Sequence, residues 1–146
     1  MKVWCDDGKT SYGAGCVRYI GKLKYHDPDH DLIGVELYDP IGRNNGTFQG
    51  VDYFNCAAPY GIFLNPDQVK PLYMSTVKEY VEVGKFGFLT QEDGRNTYFH
   101  HTDVAYNSNT IQIGQRVEHT LKRRWDTLKH VYNDIAENMR LMSVDD

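Results

Sequence analysis

An all-β chain made of two small units is the fold the sequence predicts, and three observations carry the prediction. Short runs of Val, Ile, Tyr and Phe recur along the chain. Gly, Asp, Asn and Pro break them at close spacing, the pattern of small barrels or sandwiches. The 146 residues suffice for one ordinary domain or two small ones. Pro66 and Pro71 bracket the end of a first module, and the join at Leu72-Tyr73-Met74-Ser75 is short and apolar.

Composition bounds the function. Hydrophobic residues make up 40% and charged residues 25%, as in ordinary globular proteins. No apolar run approaches the roughly 20 residues of a membrane span. Met1-Lys2-Val3-Trp4-Cys5-Asp6-Asp7 lacks the apolar stretch of a signal peptide, so a cytoplasmic protein without a membrane partner is expected. Cys5, Cys16 and Cys56 are odd in number and show no C-x-x-C pattern. They fit a reducing compartment better than a disulfide framework or zinc site. Cys16 and Cys56 read as small buried hydrophobes in strands. The net charge of −4 does not mark a nucleic-acid binder. Residues 1–72 carry 7 Lys+Arg against 9 Asp+Glu, and residues 73–146 carry 9 against 11, so neither half is basic.

In the first module, strand-like Gly34-Val35-Glu36-Leu37 precedes Gly42-Arg43-Asn44-Asn45-Gly46 and Thr47-Phe48-Gln49-Gly50. Aromatic Val51-Asp52-Tyr53-Phe54 follows. Glycines bring backbone N–H groups close to a ligand, and Asn amides donate to carboxylates or stabilise the turn itself. Such a loop suits capture of a peptide carboxylate. Taken alone, the same composition also fits an ordinary tight turn. His26 and His30 stand four apart, but Pro28 and several aspartates make that stretch a polar loop rather than a metal site.

These segments, with Gly15-Cys16-Val17-Arg18-Tyr19-Ile20-Gly21 before them and Gly61-Ile62-Phe63-Leu64-Asn65-Pro66 after, resemble in order and spacing the CAP-Gly domain, over roughly residues 1–72. The hallmark G-K-N-D-G reads here as Gly42-Arg43-Asn44-Asn45-Gly46. The resemblance implies a small glycine-rich, SH3-like barrel that binds acidic C-terminal tails ending in an aromatic, as tubulin does. Asn44 and Asn45 would contact the carboxylate, with Arg43 and Gly46 beside them. Phe48 and Phe63 would help form the apolar groove. Leu32-Ile33 replace the family's tryptophan before G-V-E-L, and Asn65-Pro66-Asp67-Gln68 replace its basic residues. Less positive charge weakens attraction to an acidic tail.

In the second module, Phe86 and Phe88 alternate in a strand-like run, as do Tyr98 and His100 after a turn at Gln91–Asn96. Alternate residues of a strand share a face, so pairing the two runs would set four flat side chains side by side. An exposed platform of this kind stacks nucleobases at about 1–3 kcal/mol each. Buried, it would be an aromatic core. Lys122-Arg123-Arg124-Trp125 is the one local basic run, and fits a phosphate-contacting loop or a solvated face.

Thr76-Val77-Lys78-Glu79-Tyr80, Phe86-Gly87-Phe88-Leu89, Tyr98-Phe99-His100-His101 and Gly114-Gln115-Arg116-Val117-Glu118 resemble the cold-shock domain, over roughly residues 75–142. The resemblance implies a five-stranded OB-type barrel binding single-stranded RNA or DNA through Phe86, Phe88, Tyr98 and His100. Lys78 would contact a phosphate. Glu79 stands where that family stacks a tryptophan, a change that weakens binding. Ala136-Glu137-Asn138-Met139 is similar to the family's last-strand A-x-N-V, which makes 138–142 the closing strand and 122–134 an insertion, partly helical near 123–134. The alternative is one helix over 125–139, where Trp125, Leu128, Ile135 and Met139 recur at helical spacing.

No phosphate-binding loop, nucleophile elbow or paired-carboxylate motif occurs, so neither enzyme, cofactor nor small-molecule substrate is expected. The sequence predicts an adaptor in which the second barrel binds single-stranded nucleic acid and the first captures an acidic protein tail. The alternative is a structural component of a cytoskeletal, microtubule or ribonucleoprotein assembly, with both barrels as protein-interaction surfaces.

Overall fold

The computed structural model describes residues 1–104 and 111–142. They divide into two compact units, Met1–Pro71 and the chain from Leu72 onward. No helix among the described residues is long and apolar enough to cross a membrane.

The first unit contains β1 (Lys2–Asp6), β2 (Ser11–Gly21), β3 (Leu32–Leu37), the short β4 (Thr47–Phe48) and β5 (Val51–Asp52), β6 (Gly61–Leu64) and β7 (Val69–Pro71). Five of these form an antiparallel sheet in the order β6-β3-β2-β1-β7, and β4 pairs with β5 in a separate ribbon. The expected SH3-like barrel is here a five-stranded sheet whose edge strands, β6 and β7, do not pair with each other. Pro71 brings no N–H to its edge, and the 3-10 turn Pro66–Gln68 separates the two. Val3, Cys5, Tyr12, Val35, Leu37, Ile62 and Leu64 form the core. Cys5 is the cysteine that serves as a buried hydrophobe, its thiol pushed up to about 12 by burial. Cys16 and Cys56 do not: both are half-buried. Cys16 pairs with Lys2 and Glu36 on the sheet's polar side, and Cys56 lies in a loop.

The second unit contains β8 (Tyr73–Val81), β9 (Phe86–Gln91), β10 (Asn96–His100), β11 (Arg116–Asp126) and β12 (Val131–Leu141). They close into a barrel in the order β10-β12-β11-β8-β9. Neighbours run antiparallel except β10 and β12, which meet in parallel at Tyr98 and Ile135. Val77, Leu89, Phe99, Val117, Ala136 and Met139 fill the interior. Gly87 lies against this core, where a Cβ would meet the Glu79 carbonyl and the Phe99 ring.

The expected helix over 125–139, or part-helical insertion over 123–134, is absent. β11 pairs with β8 only from Arg116 to His119, whereas its pairing with β12 continues to Asp126 and Val131. The outer halves of the two strands therefore form a two-stranded arm. Local interactions favour the hairpin over a helix. Trp125 packs on Tyr132 across the strands at 4.9 Å, and the Arg123 guanidinium lies 4.6 Å from the Tyr132 ring centroid. Asp126 Oδ1 accepts the N–H groups of Leu128 and Lys129, and His130 adopts φ +54°. The apolar stripe of the supposed helix has no common packing surface: Met139 lies in the core, whereas Leu128 is 91% exposed. The closing strand is correspondingly longer than 138–142. Asn138, at φ +51°, marks a bulge within it and donates to Thr120 Oγ1 at 2.9 Å.

Candidate functional site

The Gly42–Gly46 loop is tied to the start of β6. The Arg43 and Asn44 N–H groups donate to the Gly61 carbonyl at 2.7 and 3.0 Å, and Gly61 N–H returns to Asn44 O at 2.8 Å. Asn44 Oδ1 accepts Gly46 N–H at 2.9 Å, and Asn45 Oδ1 accepts Thr47 N–H at 3.1 Å. A backbone N–H demands an acceptor, so both side-chain oxygens are committed to the loop. The two –NH2 groups remain as donors for a ligand carboxylate. Gly46 is buried at φ +96°, its carbonyl accepting from Tyr53 and Phe54, and a Cβ there would collide with the Phe54 carbonyl.

The chain runs from this loop directly into an aromatic cluster centred on Phe63. Phe48, Tyr53 and Phe54 lie 5.9, 5.6 and 5.5 Å from it between ring centroids. Tyr19 packs on Tyr53 at 5.0 Å. Phe54 and Phe63 cover Gly34, where no Cβ would fit. These aromatic rings are half-buried, so the cluster is an open surface rather than a core. The structure thus brings Asn44, Asn45, Gly46, Phe48 and Phe63 together. Tyr19, Tyr53 and Phe54 are the members that the sequence reading passed over. The Tyr53-Phe54 pair beside the glycine loop was the available signal.

Arg43 is placed differently. Its Nη2 reaches the Tyr12 hydroxyl at 3.4 Å, and that hydroxyl donates to Asp7 Oδ2 at 3.0 Å. The N–H groups of Thr10 and Lys9 hold the Asp7 carboxyl below its ordinary value, with lesser help from Tyr12 and Arg43. The guanidinium therefore faces a carboxylate of its own unit.

In the second unit, β9 and β10 pair Phe88 with Tyr98 and Phe86 with His100. Phe86 and Phe88 lie 5.9 Å from Tyr98, and all four side chains are half-exposed. The His100 ring turns to Thr102, with Nδ1 2.9 Å from its hydroxyl. Glu79 pairs with Phe88, and Lys78 occupies the bulge beside it, both exposed. One row across the sheet thus reads Glu79, Phe88, Tyr98, Ile135. The basic run is split by strand alternation. Lys122 pairs with Ile135 and shares its face with Arg124, whereas Arg123 and Trp125 lie on the face of Leu121 and Ala136. Between arm and platform lies a cleft of about 540 Å³, lined by Phe88, Tyr98, Arg124, Trp125, Leu128 and Ile135 among others. Leu128, Lys129 and Ile135 escaped the sequence reading because a helix was expected there.

Among the described residues, no group of three or more His, Cys, Asp or Glu is arranged to hold a metal ion. His30 Nδ1 lies 2.6 Å from Asp27 Oδ2.

Residues 2–69, which hold the glycine-built loop and the aromatic cluster, match the CAP-Gly domain family. The match ends before the second unit. The chain is 45% identical over 54 residues to a CAP-Gly domain-containing linker protein 1 homolog of Caenorhabditis elegans, covering 37% of this chain and 6% of that one. It is 40% identical over 70 residues to tubulin-specific chaperone B of Dictyostelium discoideum, covering 47% and 25%. It is 39% identical over 56 residues to cell polarity protein alp11 of Schizosaccharomyces pombe, covering 38% and 24%. The chain thus spans a quarter or less of the length of these relatives.

Proposed function

We propose that this chain is a non-enzymatic, microtubule-related interaction protein of the cytoplasm whose first unit captures the acidic C-terminal tail of a protein partner, tubulin or another cytoskeletal protein. One observation carries the reading. Asn44 and Asn45 spend their oxygens on the loop and keep their –NH2 donors, beside a half-open cluster of Phe48, Tyr53, Phe54 and Phe63. A terminal carboxylate matches the donors, and a terminal aromatic matches the cluster. The tubulin-specific chaperones among the relatives support a tubulin-related setting. Arg43 is offset by Asp7, so the amides and backbone supply more of the recognition than net charge does. Titration with a peptide ending Glu-Glu-Tyr is expected to shift the amide signals of Asn44–Gly46. No shift at millimolar peptide would exclude tail capture.

A second reading, in which residues 75–142 form a cold-shock-like OB barrel that binds single-stranded RNA or DNA, is favoured by the Phe86, Phe88 and Tyr98 rings on one face. The strand order, with β10 parallel to β12, is in keeping with an OB-type barrel. Glu79 in the same row opposes it, by placing an anion where phosphates would pass. If the reading holds, Phe86→Ala with Phe88→Ala weakens oligo-U binding at low salt at least about tenfold, as expected for two lost stacks. An unmodified protein with no salt-sensitive binding rules it out.

A further inference from the structure

We infer that the β11–β12 arm is a protein-docking site for an acidic peptide segment bearing a large apolar side chain. The site is separate from the Asn44–Asn45 loop and stands independently of tail capture. Three observations carry this. First, the arm exposes side chains that ordinarily go inside. Trp125 is 46% exposed, Val131 45%, Tyr132 59% and Leu128 91%. The strands hold these side chains clear of the barrel, and clustered exposed apolar groups mark interaction surfaces. Trp, Tyr and Arg are also the residues enriched at binding hot spots.

Second, the arm is basic on balance. Over residues 122–134 the cations Lys122, Arg123, Arg124 and Lys129 outnumber the carboxylates Asp126 and Asp134. Asp126 is engaged with the N–H groups of Leu128 and Lys129 and, at 3.4 Å, with Asn133 Nδ2. Those N–H groups hold its carboxyl below the ordinary range, so it is ionised within the turn. The chain as a whole is acidic, at −4, so a basic arm is a local departure that selects an acidic partner.

Third, the arm shapes a receptacle. The cleft of about 540 Å³ between the arm and the β9–β10 face is lined by the apolar Phe88, Tyr98, Trp125, Leu128 and Ile135, by the cations Arg124 and Lys129, and by the carboxylates Asp126 and Asp134. It has room for one aromatic or branched side chain, with flanking carboxylates on Arg124 and Lys129. Leu128, the most exposed apolar residue of the lining, is aliphatic and offers no stacking face, so it matches an apolar side chain.

The test uses the full chain and a fluorescent peptide with a central Phe flanked by three glutamates on each side. Amidation of its C-terminus denies the Asn44–Asn45 loop its carboxylate. Binding that weakens with salt is expected, with a loss of at least fivefold in Leu128→Ser and in Arg124→Glu and no change in Asn44→Ala. Leu128 is almost wholly exposed, so its replacement leaves the barrel intact. An unchanged affinity in both arm variants overturns the inference, as does loss of binding in Asn44→Ala. Displacement of the peptide by oligo-U at lower concentration than by unlabelled peptide would assign the arm to nucleic acid instead. A free-carboxylate Glu-Glu-Tyr peptide run in parallel reports on tail capture alone, so the failure of one reading is distinguished from that of the other.

Discussion

Gly46 concentrates the demands of the loop in one residue. Its φ of +96° lies where residues with a Cβ are strained, and the space a Cβ needs is taken by the Phe54 carbonyl. Gly46→Ala should therefore cost about 2–3 kcal/mol of stability in the first unit, measured by denaturant titration. It should also abolish the peptide-induced shifts, because Asn44 Oδ1 is anchored on the Gly46 N–H. A buried histidine does comparable duty in the other unit. His119 is fully buried, accepts at Nε2 from Ser75 Oγ at 2.7 Å and donates from Nδ1 to the Thr120 carbonyl at 3.0 Å. Tyr73 stacks on its ring. Both nitrogens are served in the neutral form, and burial lowers the pKa below its ordinary 6.5. Between the depressed native value and 6.5, the unfolded chain holds a proton that the native chain does not. Stability is therefore complete above 6.5 and falls as the pH drops through that window, by at most ~1.4 kcal/mol per pH unit. Urea unfolding from pH 7.5 to 5 should show this slope in the native chain and lose it in His119→Gln.

At the scale of elements, legibility depended on what set each conformation. The β9–β10 pairing could be read because alternation in Phe86–Phe88 and Tyr98–His100 is strict and one turn joins the runs. The Gly42–Gly46 loop could be read because glycine and asparagine limit the backbone locally. The arm could not. Trp125, Leu128, Ile135 and Met139 fall at helical intervals, yet only Met139 belongs to a core, and Leu128 sits at the hairpin turn. What decided the hairpin was cross-strand contact of Trp125 and Arg123 with Tyr132, which no periodicity within one segment records. Arg43 illustrates the same limit. Its number beside the asparagines implied a role in the groove, whereas its direction follows from Tyr12 and Asp7, more than thirty residues earlier. The cysteines divide by face: Cys5 packs in the core, whereas Cys16, on the middle strand of the same sheet, pairs with Lys2 on its polar side.

Across the whole molecule, the two cores share no residue. One is built on Val3, Val35 and Ile62, the other on Val77, Leu89 and Phe99. Phe99 is fully buried, stacks on Tyr80 at 6.0 Å and leaves no space for a Cβ on Gly87. Removing its ring strips the second core of its largest side chain. Phe99→Ala should therefore cost the second unit about 3–5 kcal/mol, the usual consequence of an unfilled aromatic site. Every side chain of the Asn44–Phe63 site belongs to Met1–Pro71, none of whose core contacts involve Phe99. Affinity for a peptide ending Glu-Glu-Tyr should consequently stay within about twofold in Phe99→Ala under native conditions. Binding of the amidated peptide to the arm should fall in step with loss of the second unit's structure. Parallel loss of both activities in this variant would contradict the assignment of tail capture to residues of the first unit alone.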